Sequence, residues 1–291
     1  MVARAGLAAL LLSLAACTVG GPLPQPAEEL AVSRWGPEAP RATLLALHGY
    51  GDHATSTFDA AAEFWAERGI ETVAYDQRGF GRNPSRGLWP GAPRLIEDAR
   101  TMAARLRSAH PCRPLVVLGH SMGGGVALAA APDLDAEGLI LAAPAIWGGR
   151  SLNPLHRLAA WMAAGVVPER RFTGEGVVRI QASDNIDALR ALGRDPLYLS
   201  PPSAREIFGL VRVVDAAEAA APEVTLPSLL LLGARDQILP QGPVERVYAT
   251  LPGPRRTIAY PEGWHLLFRD LQARQVWEDV ADWVLARPAP C

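Results

Sequence analysis

A serine hydroxyl is a poor nucleophile unless a base lies beside it, and the base needs an acid to orient it. The segment Gly119-His120-Ser121-Met122-Gly123 presents a candidate serine. An apolar run, Leu115–Gly119, precedes it, and a small-residue stretch, Met122–Ala131, follows it. This is the strand–turn–helix setting of a nucleophile elbow. The glycines leave room for a sharp turn that lifts Ser121 Oγ clear of the sheet. The helix start brings backbone N–H groups close to it.

Six histidines could supply the base: His48, His53, His110, His120, His156 and His265. His120 adjoins the nucleophile, and the turn carries it away. His48 and His53 share one loop, His110 ends a helix, and His156 falls in an irregular region. His265, in Pro261-Glu-Gly-Trp-His-Leu-Leu-Phe268, follows the last strand and precedes a helix. In a parallel sheet that position lies at the carboxyl edge, where sites form. For the acid, Gly233-Ala-Arg-Asp236 comes directly after the apolar run Leu229–Leu232. Asp195, Asp215, Glu262 and Asp270 are the other candidates. The first two lie in the irregular region, and the last two sit too near His265 in sequence to reach Nδ1 from the far side. Alone, each residue reads as a turn aspartate or a core histidine. Ser121, Asp236 and His265, each at a strand end, read together as a triad.

Acyl transfer also needs donors for the developing oxyanion. The Met122 N–H is one expected donor. The Tyr50 N–H, in His48-Gly49-Tyr50-Gly51, is the other, because the flanking glycines let that backbone approach. Asp76 and Arg78, in Asp76-Gln-Arg-Gly-Phe-Gly-Arg82, read as a structural loop held by hydrogen bonds beneath the site.

The elements that position these residues alternate. Strands are expected at Thr43–His48, Ile70–Tyr75, Leu115–Gly119, Gly138–Ala143, Ser228–Gly233 and near Arg256–Tyr260. Helices are expected at Phe58–Arg68, Pro93–His110, Met122–Ala131, around Pro243–Thr250 and near Leu271–Ala286. Short, continuously apolar strands alternating with helices predict an α/β fold: a mostly parallel sheet covered on both faces. From about residue 145 to 222 the rhythm breaks. Leu152, Leu155, Leu158, Ala159 and Met162 fall at helical spacing there, with Trp147 and Trp161, and predict an inserted helical cap. These residues can line an acyl pocket or simply pack a core.

The chain has 291 residues, 49% of them apolar, and a net charge of −2, which suits one globular domain with an insertion. Near-neutral charge offers no footprint for nucleic acid. All 28 basic residues are arginine. The absence of lysine excludes Schiff-base and PLP chemistry, a Ser-Lys dyad and a Walker A phosphate loop. Cys17, Cys112 and Cys291 are too scattered for a zinc site, and no metal or cofactor is expected. Cys112 precedes a strand and Cys291 follows a helix running antiparallel to it. Both therefore belong at the bottom edge of the sheet and are candidates to pair in an oxidising compartment.

Arg4 and the apolar run Ala5–Ala16 read as a signal peptide, too short to span a bilayer. Leu14-Ala15-Ala16-Cys17 resembles the bacterial lipobox, in which the chain is cut before the cysteine and the thiol is lipidated. The resemblance implies a signal peptide at 1–16 and a lipid-anchored tether and first strand region at 17–40. The hydrolase-like domain then occupies 41–291. It also implies an envelope address, with the outer membrane favoured because Thr18 rather than aspartate follows Cys17.

The order Ser121, Asp236, His265 is that of α/β-hydrolases. The chain resembles their monoacylglycerol lipase and lysophospholipase branch, the serine aminopeptidase S33-like family. The matching motifs are His48-Gly-Tyr-Gly-Asp52, Asp76-Gln-Arg-Gly-Phe-Gly81, Gly119-His-Ser-Met-Gly-Gly124, Gly233-Ala-Arg-Asp236 and Gly263-Trp-His265. They span about Arg41 to Trp283. The resemblance implies a cofactor-free carboxylic ester hydrolase acting on single-chain lipids. Two departures are Asp52-His-Ala-Thr55, where the family often has Glu-His, and Gly263-Trp264 before His265. Rival readings are an acyltransferase on the same triad and a non-catalytic envelope binding lipoprotein.

Overall fold

The computed structural model describes residues 28–147, 153–172 and 180–291. The expected signal peptide and Cys17 lie outside the described residues. A seven-stranded sheet forms the centre, in the order β1-β3-β2-β4-β5-β6-β7. β1 (Val32–Trp35) pairs antiparallel with β3 (Ile70–Tyr75). β2 (Ala42–Leu47), β4 (Leu115–His120), β5 (Gly138–Ala142), β6 (Ser228–Gly233) and β7 (Arg255–Tyr260) all run parallel with β3. β2, β4, β5 and β6 are buried along their whole lengths, which is why they read as unbroken apolar runs rather than alternating ones.

Alternate residues of the inner strands feed two cores. Leu45 and Leu47 of β2 join the layer built by α2 (Ala92–Ala109), α3 (Met122–Ala130) and α7 (Gln241–Tyr248). Leu44 and Ala46 join the layer of α1 (Ala54–Ala66) and α8 (Ala273–Leu285). α1 starts four residues before the expected Phe58, because His53 caps it: its Nδ1 accepts the Ser56 N–H at 3.4 Å. Histidine is outside the usual N-cap set, so the true start was not visible as a cap.

Among the described residues, three α-helices lie between β5 and β6: α4 (Pro154–Val166), α5 (Ile186–Arg194) and α6 (Ala204–Ala220). α4 buries only Ala164 and α5 buries nothing, as suits a cap. α6 behaves differently. Its Val213, Val214 and Ala217 are fully buried, and Val213 and Ala217 join the layer that contains α3. The last part of the 145–222 segment is thus a body helix.

Cys112 and Cys291 are disulfide-bonded, with Cα atoms 5.0 Å apart, at the edge of the sheet opposite the strand carboxyl ends. Among the described residues, no helix is long and apolar enough to cross a membrane, and no cluster of histidine, cysteine and carboxylate residues could hold a metal.

Candidate active site

The parallel register brings the carboxyl ends of β4, β6 and β7 to one edge. Ser121 follows β4 with φ 53°, a strained conformation for a residue with a side chain. The flanking glycines are sterically required. A Cβ on Gly119 would stand 2.3 Å from the Gly123 carbonyl oxygen, and one on Gly123 would stand 2.3 Å from that of Leu47.

The three residues predicted from separate strand ends meet here. Ser121 Oγ donates to His265 Nε2 at 3.0 Å, and His265 Nδ1 donates to Asp236 Oδ2 at 2.8 Å. The second carboxylate oxygen of Asp236 accepts the Ile238 and Leu239 N–H groups at 2.7 and 3.1 Å. Burial works to raise the Asp236 pKa. The His265 hydrogen bond and charge, with those two N–H groups, outweigh it and hold the carboxyl below its ordinary value. The rejected acids are engaged elsewhere. Glu262 pairs with Arg235, Asp215 with Arg157, and Asp195 with His53. Asp270 accepts from Ser183 Oγ at 2.6 Å and from the Trp264 N–H at 2.7 Å, so it braces the loop that carries His265.

The Gly49–Tyr50 loop lies against the serine: a Cβ on Gly49 would be 3.7 Å from Ser121 Oγ. The Tyr50 ring packs edge-on to Phe80 at 5.4 Å, and the residue lines the space beside the serine. Burial, then the neighbouring Glu206 carboxylate, raises the Tyr50 phenol pKa. Met122 opens α3 beside the nucleophile and lines the same cavity.

Two histidines set aside as catalytic bases prove to be structural supports. His48 is fully buried. Its Nε2 accepts the Gln77 N–H at 2.8 Å and its Nδ1 donates to the Gly49 carbonyl at 2.8 Å. It thereby ties the Tyr50 loop to the loop after β3. Desolvation lowers its pKa and keeps the ring neutral. His120 Nε2 donates to the His265 carbonyl at 3.0 Å. Burial, with the nearby His265, pushes His120 down to about 3. Neither role carries a sequence signal beyond adjacency to the two glycine motifs.

Asp76 and Arg78 are structural, as expected. Asp76 accepts the Ala54 N–H at 2.9 Å and pairs with Arg82 at 2.8 Å. Arg78 makes a two-pronged bond to Asp98, at 2.8 and 3.0 Å, and reaches Glu28 at 3.0 Å.

The triad opens into a cavity of about 280 Å3. Met122, Ala145, Leu192, Leu210, Leu239 and Leu266 contribute an apolar lining. Asp52 and Arg269 form an ion pair at one wall. Burial opposes the charge on Asp52, but Arg269 prevails and keeps its pKa low. Such an arrangement can hold an apolar acyl group against an activated serine.

The serine aminopeptidase S33 family profile matches residues 38–272. The chain is 27% identical over 267 residues to a monoacylglycerol lipase of Mycolicibacterium smegmatis, covering 87% of this chain and 91% of that one. It is also 27% identical to a monoglyceride lipase of Rattus norvegicus, over 88% and 86% of the two chains. Among solved structures, the monoacylglycerol lipase of Paleococcus ferrophilus superposes with a TM-score of 0.76 at 20% identity, over 89% and 99% of the two chains. A soluble variant of the Saccharomyces cerevisiae monoglyceride lipase, bound to a substrate analogue, gives 0.74 at 20% identity, over 91% and 94%. With its elbow serine, its parallel sheet and a family match running from before β2 to the start of the last helix, the chain belongs to the serine aminopeptidase S33 family of α/β-hydrolases.

Proposed function

We propose that the protein is a serine carboxylic ester hydrolase acting on single-chain lipid esters of the monoacylglycerol type. The observation that carries this reading is the Ser121–His265–Asp236 relay, with contacts of 3.0 and 2.8 Å, opening into an apolar cavity. Ser121 Oγ attacks the ester carbonyl as His265 Nε2 takes its proton. The N–H groups of Tyr50 and Met122 stabilise the oxyanion. His265 protonates the departing alkoxide, while Asp236 holds the ring and its charge. Water, activated by the same His265, then releases the fatty acid. The curated relatives named above are themselves monoacylglycerol lipases, which supports the glycerol ester as substrate.

Lipid attachment at Cys17 and an envelope address belong to the same reading. Two features support them. β1 runs antiparallel to its neighbour β3, and Val32 pairs with Tyr75, so the described chain begins at the carboxyl edge of the sheet, the edge of the triad. α4 also turns Leu155, Leu158, Trp161, Met162 and Val166 outward, an apolar surface suited to lipid. The deciding experiment is labelling with a fluorophosphonate probe, followed by assay on monoacylglycerols with and without added glycerol. Wild type should be labelled and should release fatty acid, and Ser121→Ala should do neither. Labelling of Ser121→Ala, or acyl transfer to glycerol in place of hydrolysis, would overturn the reading.

A further inference from the structure

The catalytic cavity, of about 280 Å3, is less than half the volume of a neighbouring groove. Trp147, just beyond β5, lines this cavity from one side. The same residue lines a second groove, of about 600 Å3, between α6 and α7. Ala219, Pro222, Pro243 and Val247 provide its apolar part, with Asp215 and Glu218 among its polar groups. Trp147 is half-buried and packs against both apolar layers of the fold.

We infer that Trp147 is the partition that sets acyl chain length, and that the α6–α7 groove takes the tail of a longer chain once the indole is displaced or removed. Short esters are accommodated in front of the indole. Longer chains must pass it, and each methylene that enters the groove gains hydrophobic free energy that the wall otherwise denies. Chain length is thus decided at a side chain that packs on both cores of the body. This inference rests on the ester-hydrolase reading and adds a selectivity element to it.

The test uses the full chain and p-nitrophenyl butyrate, octanoate and dodecanoate below their micellar concentrations, measuring kcat and KM for each. The informative quantity is the ratio of kcat/KM for dodecanoate to that for butyrate. Trp147→Ala should raise this ratio roughly tenfold or more, chiefly by lowering KM for dodecanoate, and Trp147→Phe should raise it less. Ala219→Trp fills the groove from an exposed position on α6 without touching the catalytic cavity. Added to Trp147→Ala, it should return the ratio towards the wild-type value. An unchanged ratio in Trp147→Ala, with circular dichroism showing a folded protein, overturns the partition. A gain that survives Ala219→Trp overturns the groove as the tail site. Failure of the hydrolase reading would look different: no Ser121-dependent turnover of butyrate at all.

Discussion

His120 Nε2 donates a 3.0 Å hydrogen bond to the backbone carbonyl of His265. The residue before the nucleophile therefore holds the backbone of the base, across 145 residues of sequence. The ring centroids lie 5.3 Å apart, and burial keeps His120 neutral, so it adds no competing charge beside the imidazolium that forms during the reaction. His120→Phe removes the donor and leaves a buried carbonyl unpaired. We expect kcat to fall about 10- to 100-fold with little change in KM for a short ester, whereas His120→Gln, which can still donate, should recover part of the loss. Steady-state kinetics of the two variants checks this.

Asp236→Asn should keep the fold, because its side chain can still accept the Ile238 and Leu239 N–H groups. It should cut kcat by orders of magnitude, roughly up to 10⁴-fold on the precedent of the serine-protease triad, since the tautomer and charge of His265 lose their support. Glu262→Gln should be silent, as that carboxylate faces Arg235. Retained activity in Asp236→Asn would mean that another group orients the base.

Acid should unfold the protein in a window set by buried histidines. The pKa values of His48 and His120 are lowered by burial, so each binds a proton more readily in the unfolded chain. Stability is therefore fully present above pH ~6.5 and falls as pH drops towards the folded values. His120, the more so for its buried place beside His265, contributes to this loss as pH falls. Asp52, Asp76, Asp195 and Asp236, whose pKa values are held low, extend the loss below pH ~4. Urea denaturation from pH 7 to 4 measures the first part. His120→Phe should flatten it.

The Cys112–Cys291 bond ties the chain end to the start of β4, across 179 residues, at the edge far from the triad. Reduction, or replacement of both cysteines by serine, should cost about 2–5 kcal/mol and leave kcat for butyrate within twofold. A thiol count of zero for Cys112 and Cys291 in the unreduced Cys17→Ser protein, with a lower Tm on reduction, is the expected result.

Cys17→Ser should abolish incorporation of labelled fatty acid and leave the precursor uncleaved. A wild-type chain that takes up no label and remains soluble would contradict the anchor.

The sheet was legible because strands buried on both faces must be apolar throughout, and Leu44–Leu47, Leu115–Leu118 and Leu229–Leu232 carry that requirement in their composition. Ser121 was legible because its turn admits only glycine at 119 and 123, a steric rule written in consecutive residues. Asp236 and His265 followed from chain order and from their places after strands. What tertiary structure decided is what depends on who packs against whom. α6 and α4 both carry helical patterns, but only contact with α3 made α6 part of the body. Cys112 and Cys291 shared an edge on paper, and their 5.0 Å lateral approach came from the packing of α8 on the sheet. His48, His120 and Asp270 became supports of the site through hydrogen bonds to backbone groups. Backbone groups are the same for every residue type, so such partners leave no mark in the sequence and exist only once the chain has folded.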